Sequence, residues 1–147
     1  MNKELLQKFL NERIPISRAI GIKVLEAGPD NVAICAPLAP NINHIDAAFG
    51  GSVSAVAMLS AWSLLHIRHM KEGIDSNIVI YKASLTFERP IDGVFTSTTV
   101  FDNDPVWKDF VLKMKTIKKA GLELSSVLTC GESAVGRFEG FFVSYSD

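Results

Sequence analysis

Twenty-one consecutive residues, Ala47 to Ile67, contain no Asp, Glu, Lys or Arg. As a helix, a run of that length reaches across a bilayer. It opens, however, on Gly50 and Gly51, carries Ser52, Ser54, Ser60 and Ser63, and is accompanied by no second span. A helix that is apolar nearly all round is also what a globular core encloses. The run is therefore read as a buried helix from about Gly50 to Lys71. Gly73 follows where a C-terminal cap belongs, after Arg68, His69 and Lys71, whose charges suit that end. Such a helix needs a sheet wrapped around it.

The rest of the chain supplies one. Leu5, Leu6, Phe9 and Leu10 give Asn2 to Asn11 an amphipathic helical pattern, and Pro15 ends or redirects it. Ile22–Glu26 and Val32–Leu38 read as strands around the turn Gly28-Pro29-Asp30-Asn31. Pro37 to Asn43 is a breaker region. After the long helix, Val79, Tyr81, Ala83, Leu85 and Phe87 alternate with Lys82, Ser84, Thr86 and Glu88, the period of a strand with one covered face. Pro90 to Gly93 turns the chain into a Thr- and Val-rich strand, Val94 to Phe101. Asp104-Pro105 has the form of an N-cap and first helical residue. Trp107, Phe110, Val111 and Met114 then recur at helical spacing, with Gly121 as the stop. Leu122–Cys130 and Ala134–Tyr145 form a last hairpin. The expectation is a single α+β domain over residues 1–147. An antiparallel sheet of about six strands wraps a long central helix, with an extra helix between the fourth and fifth strands. Six strands leave edges that must be paired or protected, so a homodimer or a dimer of dimers is expected.

Composition narrows the partners. The 147 residues carry a net charge of −1, which gives no general reason to expect nucleic acid or an anionic membrane as partner. Cys35 and Cys130 lie far apart with no metal-type spacing, and the first residues lack an apolar signal core. Both cysteines are read as reduced core residues of a cytoplasmic protein.

One ordered set of residues resembles a known family. The set is Ile14-Pro15-Ile16-Ser17, Asn43-His44, Phe49-Gly50-Gly51-Ser52, Trp62, Arg89-Pro90, Trp107 with Phe110, and Phe138-Glu139-Gly140. Over roughly Ile14 to Tyr145 the chain resembles the hotdog-fold thioesterases related to the C-terminal domain of YiiD. The resemblance implies a hotdog fold, a homo-oligomer, and acyl-CoA or acyl-carrier-protein thioesters as substrates, with coenzyme A entering only as part of the substrate and no other cofactor. Two positions depart from the phenylacetate-pathway type of hotdog thioesterase. Phe49 stands where that type has a histidine before the paired glycines, and Met58 falls where it has an acid on the helix. Asp46 is similar in placement to the acid before the helix in the hydroxybenzoyl-CoA type.

Thioester hydrolysis needs a polarised carbonyl and a positioned water. A helix N-terminus offers free N–H groups and partial positive charge, and glycine admits a close approach. Gly50 and Gly51 thus suit an oxyanion site, or else they merely permit tight packing. Asn43 could orient water or the carbonyl, or bond within its own turn. Asp46 could be the base or a turn carboxylate. His44 could titrate near neutrality. Phe49 and Ser52 complete the expected substrate contacts. Ser52 and Ser54 do not make G-x-S-x-G, and His66 with His69 lack a third metal ligand. Lys108, Lys113, Lys115, Lys118 and Lys119 could receive coenzyme A phosphates, or form an ordinary solvated helix face. Three functions stay open: thioester hydrolase, non-catalytic acyl-binding or assembly module, and hotdog hydratase or dehydratase.

Overall fold

The computed structural model describes all 147 residues, Met1–Asp147. Six strands form one antiparallel sheet: β1 (Lys23–Ala27), β2 (Asn31–Ala36), β3 (Asn77–Phe87), β4 (Phe95–Val100), β5 (Lys119–Cys130) and β6 (Ser133–Tyr145). Their spatial order is β1-β2-β4-β5-β6-β3. The four helices are α1 (Lys3–Arg13), α2 (Ile16–Ile20), α3 (Gly50–Glu72) and α4 (Asp104–Thr116). Helix α3 is the charge-poor run. The sheet curls around it and encloses Val53, Val56, Ala57, Ala61, Leu64 and Leu65 completely. Strand β5 alternates buried and exposed residues without a break, so one face packs on the core and the other meets solvent.

Ser60 shows how a polar side chain of this apolar helix is accommodated in the core. Ser60 Oγ lies 2.7 Å from Ser97 Oγ and 3.0 Å from Thr99 Oγ1, and Thr99 continues to Ser126 at 2.6 Å. These hydroxyls satisfy one another across helix and sheet, which removes most of the desolvation penalty each would incur alone.

Several boundaries differ from the sequence expectation, each for a local reason. Pro15 does redirect the chain, but into the short helix α2, which ends at Gly21 with φ +80°. The breaker region holds a 3-10 turn, Ala39–Asn41. Asn103 caps α4 by accepting from the Val106 N–H at 3.2 Å, so Asp104 and Pro105 are its first residues. Gly121 does not stop α4. It lies inside β5, where a side chain would run into the ring of Phe141. Cys35 and Cys130 are free and half-buried rather than enclosed.

The largest correction concerns β3. Alternation promises one covered face, yet the strand is exposed or half-buried throughout. An irregularity between Ile80 and Lys82 shifts its phase. Ile78, Ile80, Ala83, Leu85 and Phe87 are thereby paired with the inward-facing register of β6, at Ser144, Phe142, Gly140, Phe138 and Gly136. Even these residues are only partly covered: Ile78 and Leu85 are half-buried against the core, while Ile80, Ala83 and Phe87 are exposed. The outer edge of β3 pairs with nothing. At the opposite edge, the Gln7 side chain of α1 donates to Ile22 O at 3.0 Å and accepts from the Val24 N–H at 2.7 Å. Leu6 and Leu10 hold α1 against the core there.

Helix α4 closes over the C-terminal end of α3. Trp107, Phe110 and Met114 are buried, and Trp107 Nε1 donates to Glu72 at 3.1 Å. Beneath them the Arg68 guanidinium lies 4.5 Å from the Phe101 ring and 5.0 Å from the Trp107 ring. It donates to Pro29 O, Asp30 and Phe101 O.

Candidate active site

The site is built around the start of α3. Asn41 is 3% exposed, and its amide donates to Ile20 O and Pro37 O at 2.9 and 2.7 Å. Its own carbonyl accepts from the Phe49 N–H at 2.7 Å. One buried asparagine therefore fixes both the breaker region and the entry into the helix. An isolated bridge between Ile42 and Ala48 closes the loop between them. The Ala48 N–H donates to Ile91 O at 2.8 Å, which ties this loop to the segment following β3.

Phe49 is the N-cap residue of α3 and supplies no side-chain cap. Its carbonyl accepts from the N–H groups of Ser52 and Val53 at 3.0 and 3.1 Å. The N–H groups of Gly50 and Gly51 bond to no other group of the protein. Two free donors at the positive end of a 23-residue helix make an anion-stabilising point. The glycines have a packing role as well. A Cβ on Gly50 would come 3.3 Å from the Phe87 ring, and one on Gly51 would strike the Phe49 ring at 2.4 Å. Ring packing and access to the N–H groups thus demand the same residue.

A cavity of about 410 Å³ opens beside Gly50, lined among others by Asn43, Ile45, Phe87, Glu88 and Arg89. That volume falls in the range of small-molecule sites, about 300–1,000 Å³. The structure brings Asn43 and Gly50 together here. Asn43 Oδ1 accepts from the Ile45 and Ala47 N–H groups at 2.9 and 3.1 Å. Its carbonyl oxygen is thus engaged by its own turn, and its NH₂ group is the part left for a ligand. Ser52 is half-buried and Phe49 is 57% exposed. His44 and Asp46 are exposed on the turn and do not line the cavity. Asp46 has φ +60°, a left-handed conformation that aspartate tolerates better than most residues.

The carboxylate that does line the cavity is Glu88, beside Arg89. Its backbone N–H donates to Val135 O at 2.8 Å, which holds the end of β3 over the site. In sequence Glu88 looks like one more polar residue of an alternating strand. The available signal was Arg89-Pro90, which forces the chain to turn at the end of β3 that meets the helix start.

The lysine group of α4 is not part of this site within one chain. It accompanies the far end of α3, and 21 residues at 1.5 Å each separate Gly51 from Glu72 by roughly 30 Å. Lys113 instead pairs with Asp109 at 3.0 Å. The two helix histidines are also engaged elsewhere. His69 is 3% exposed, with Nε2 2.9 Å from Ser144 Oγ, and its ring packs on Trp107 and Phe110. Burial pushes its pKa down to about 4, with a weaker contribution from neighbouring His66. His66 stacks on Trp62 and Phe9, and burial lowers its pKa also.

Comparison with known proteins agrees with this architecture. A protein of unknown function from Chlorobaculum tepidum TLS superposes with a TM-score of 0.92 at 21% identity, over 99% of this chain and 94% of that one. A putative thioesterase from Shewanella oneidensis gives 0.83 at 23% identity, over 98% and 97%. A Pseudomonas aeruginosa protein described as a probable thioesterase gives 0.86 at 20% identity, over 100% and 97%. At these identities the likeness establishes the fold, a hotdog. The family described as "Putative thioesterase (yiiD_Cterm)" matches residues 3–146. With nearly the whole length matched, the chain belongs to the YiiD_C thioesterase family.

Proposed function

We propose that this chain hydrolyses acyl thioesters of coenzyme A or of an acyl carrier protein at the start of α3. The observation that carries the reading is the pair of unbonded N–H groups at Gly50 and Gly51, the first of them in the lining of a cavity that also holds a carboxylate. The thioester carbonyl oxygen takes the two N–H groups, which strengthen their hold as negative charge develops on it. Loss of one such donor costs about 3 kcal/mol of transition-state stabilisation in comparable sites. The Asn43 NH₂ is a third donor within the same cavity. Glu88 accepts a proton from water as the oxygen attacks the carbonyl carbon. When the C–S bond breaks, the same proton passes to the thiolate, leaving a carboxylic acid and a free thiol.

Assembly belongs to this proposal. The outer edge of β3 is bare over eleven residues, with Val79, Tyr81 and Phe87 at 44%, 78% and 48% exposure. An unpaired edge of that length invites a second strand. Two copies joined β3 to β3 would bury it and flank each cavity with the partner chain. Sedimentation of the wild type against Val79→Glu/Tyr81→Glu reads this directly. The expected result is a dimer that the double variant dissociates.

The activity is tested by thiol release from acyl-CoA and acyl-carrier-protein thioesters, comparing wild type with Glu88→Gln and Asp46→Asn. Glu88→Gln should lower kcat about 100-fold, and Asp46→Asn should change it by less than about threefold, since surface changes away from the chemistry have small effects. The opposite pattern returns the base to Asp46. Failure of every thioester to release thiol overturns the hydrolase reading and leaves acyl binding without turnover.

A further inference from the structure

Arg68 lies near the C-terminal end of α3 and is 6% exposed. Its guanidinium is held in one orientation. Nε donates to Pro29 O, and Nη2 donates to Asp30 and to Phe101 O. The rings of Phe101 and Trp107 pack on it. Nη1 is left over. Its N–H groups bond to no group of the protein, and the atom is not sealed inside the core. A guanidinium so far removed from water is costly to bury unless its remaining donors meet water or a ligand.

Arg68 lines a cavity of about 270 Å³ between the end of α3, the turn from β1 to β2, and the start of α4. The lining carries three positive groups, Arg68, Lys71 and Lys108, and three carboxylates, Asp30, Glu72 and Asp104. Among these charges only Arg68 and Asp30 form an ion pair, at 2.9 Å. Lys71, Lys108 and Asp104 pair with no opposite charge. Glu72 accepts from Trp107 through Oε1, which leaves its second oxygen free. All three carboxylates act on the guanidinium. Burial lowers the Arg68 pKa, and the charges of Asp30, Asp104 and Glu72 oppose that shift. The cavity therefore holds a fixed, unused donor together with unused carboxylate oxygens.

We propose that this cavity binds a small zwitterion of the amino-acid class, with its carboxylate on Arg68 Nη1 and its ammonium on Asp104 and Glu72. A simple anion would meet the three carboxylates, and a simple cation the three positive groups. A ligand that bears both charges finds a partner for each. Nη1 presents its N–H groups in a plane set by the other bonds of the guanidinium, a geometry suited to a carboxylate. Pro29 and Trp107 supply the apolar wall for a side chain. At about 30 Å³ for each water-sized group, the cavity has room for roughly nine non-hydrogen atoms. That admits alanine or leucine and excludes tryptophan. The lining shares no residue with the cavity at Gly50, so the site stands independently of the thioester reading.

The experiment is titration calorimetry on the whole protein with the free amino acids leucine, alanine and tryptophan, and with acetate, methylammonium and inorganic phosphate. Leucine and alanine should bind at one site per chain. The three singly functional ions should bind at least about tenfold more weakly, each lacking one charge-assisted bond. Tryptophan should not bind. Asp104→Asn should weaken leucine about tenfold and leave acetate no weaker. Arg68→Lys keeps the charge but removes Nη1, and should weaken both. Should Arg68→Lys fail to fold, Asp104→Asn still decides, because Asp104 is exposed in the first turn of α4. Acetate or phosphate binding as tightly as leucine makes the cavity a plain anion site and overturns the zwitterion. Leucine binding unchanged in Asp104→Asn places the ligand elsewhere and overturns it too. Tryptophan binding as tightly as leucine contradicts the size of the site. No saturable binding by any probe leaves these charges as a fastening for α4 and overturns the site altogether. Thiol release from thioesters should be the same in wild type and Asp104→Asn, so failure here and failure of the hydrolase reading are told apart.

Discussion

The two ends of α3 are built on opposite plans. At the C-terminal end the cap, Arg68 and the overlying helix are all engaged. Gly73 takes φ +68° and its N–H bonds back to the last turn, Arg68 donates to three acceptors, and α4 lays Trp107 and Phe110 over His69. At the N-terminal end Phe49 offers no cap, two N–H groups are free, and the flanking Phe49 and Phe87 rings are about half exposed. A helix of this length is secured from one end, which allows the other to leave its donors unsatisfied. On the proposed mechanism stability and chemistry are separated along a single element, and the separation can be tested by perturbing each end and reading both properties.

The largest effect is expected at the closed end. Phe110→Ala removes a ring that is 2% exposed from beneath α4. It should cost about 3–5 kcal/mol by urea denaturation while leaving kcat within about twofold under conditions where the protein remains folded. A large loss of kcat in folded protein would break the separation. Next comes pH. His69 is held neutral with a pKa near 4, below the ordinary value of 6.5. The unfolded chain therefore binds the extra proton first as pH drops, and stability must fall between about pH 6.5 and pH 4. The full shift is worth up to ~3 kcal/mol. Denaturation curves across that range should show this component in the wild type and lack it in His69→Gln.

At the open end Glu88→Gln should reduce kcat about 100-fold, equivalent to about 2.7 kcal/mol of barrier, with little change in the denaturation midpoint. The smallest effect is the most direct test of the comparison. Phe49→Ser installs a favoured N-cap whose hydroxyl competes for the Gly51 or Ser52 N–H. Stability should rise by about 1 kcal/mol and kcat should fall. A variant that gains stability and keeps full activity would remove the Gly51 N–H from the mechanism.

The sequence carried the fold well where periodicity and burial coincide. The charge-free run could only be a core helix or a membrane span, and Gly73 marked its end correctly because a left-handed cap has few other solutions. The last hairpin was legible too, although β5 begins at Lys119, three residues before the expected Leu122. Strand β3 was not, because the break between Ile80 and Lys82 changes which residues share a face, and a one-residue change of phase leaves no mark in composition. In the site, the glycine pair was legible from its position at a helix start. Asn43 was visible as a polar turn residue, but the bonds that occupy its Oδ1 depend on the turn geometry. Glu88 and Asn41 were passed over because what distinguishes them is non-local: one closes a cavity across from a helix 38 residues away, and the other joins the breaker region to Ile20.

The Gln7 side chain has a consequence beyond the packing of α1. By mimicking the main-chain bonds of a neighbouring strand at Ile22 and Val24, it occupies the start of the β1 border of the sheet. The β3 border has no strand beside it. If two copies pair β3 to β3 as proposed, both bare borders are used up, and further growth by strand pairing meets the border that Gln7 occupies. On that assembly a single glutamine, placed on the first helix, stands against polymerisation through the remaining border.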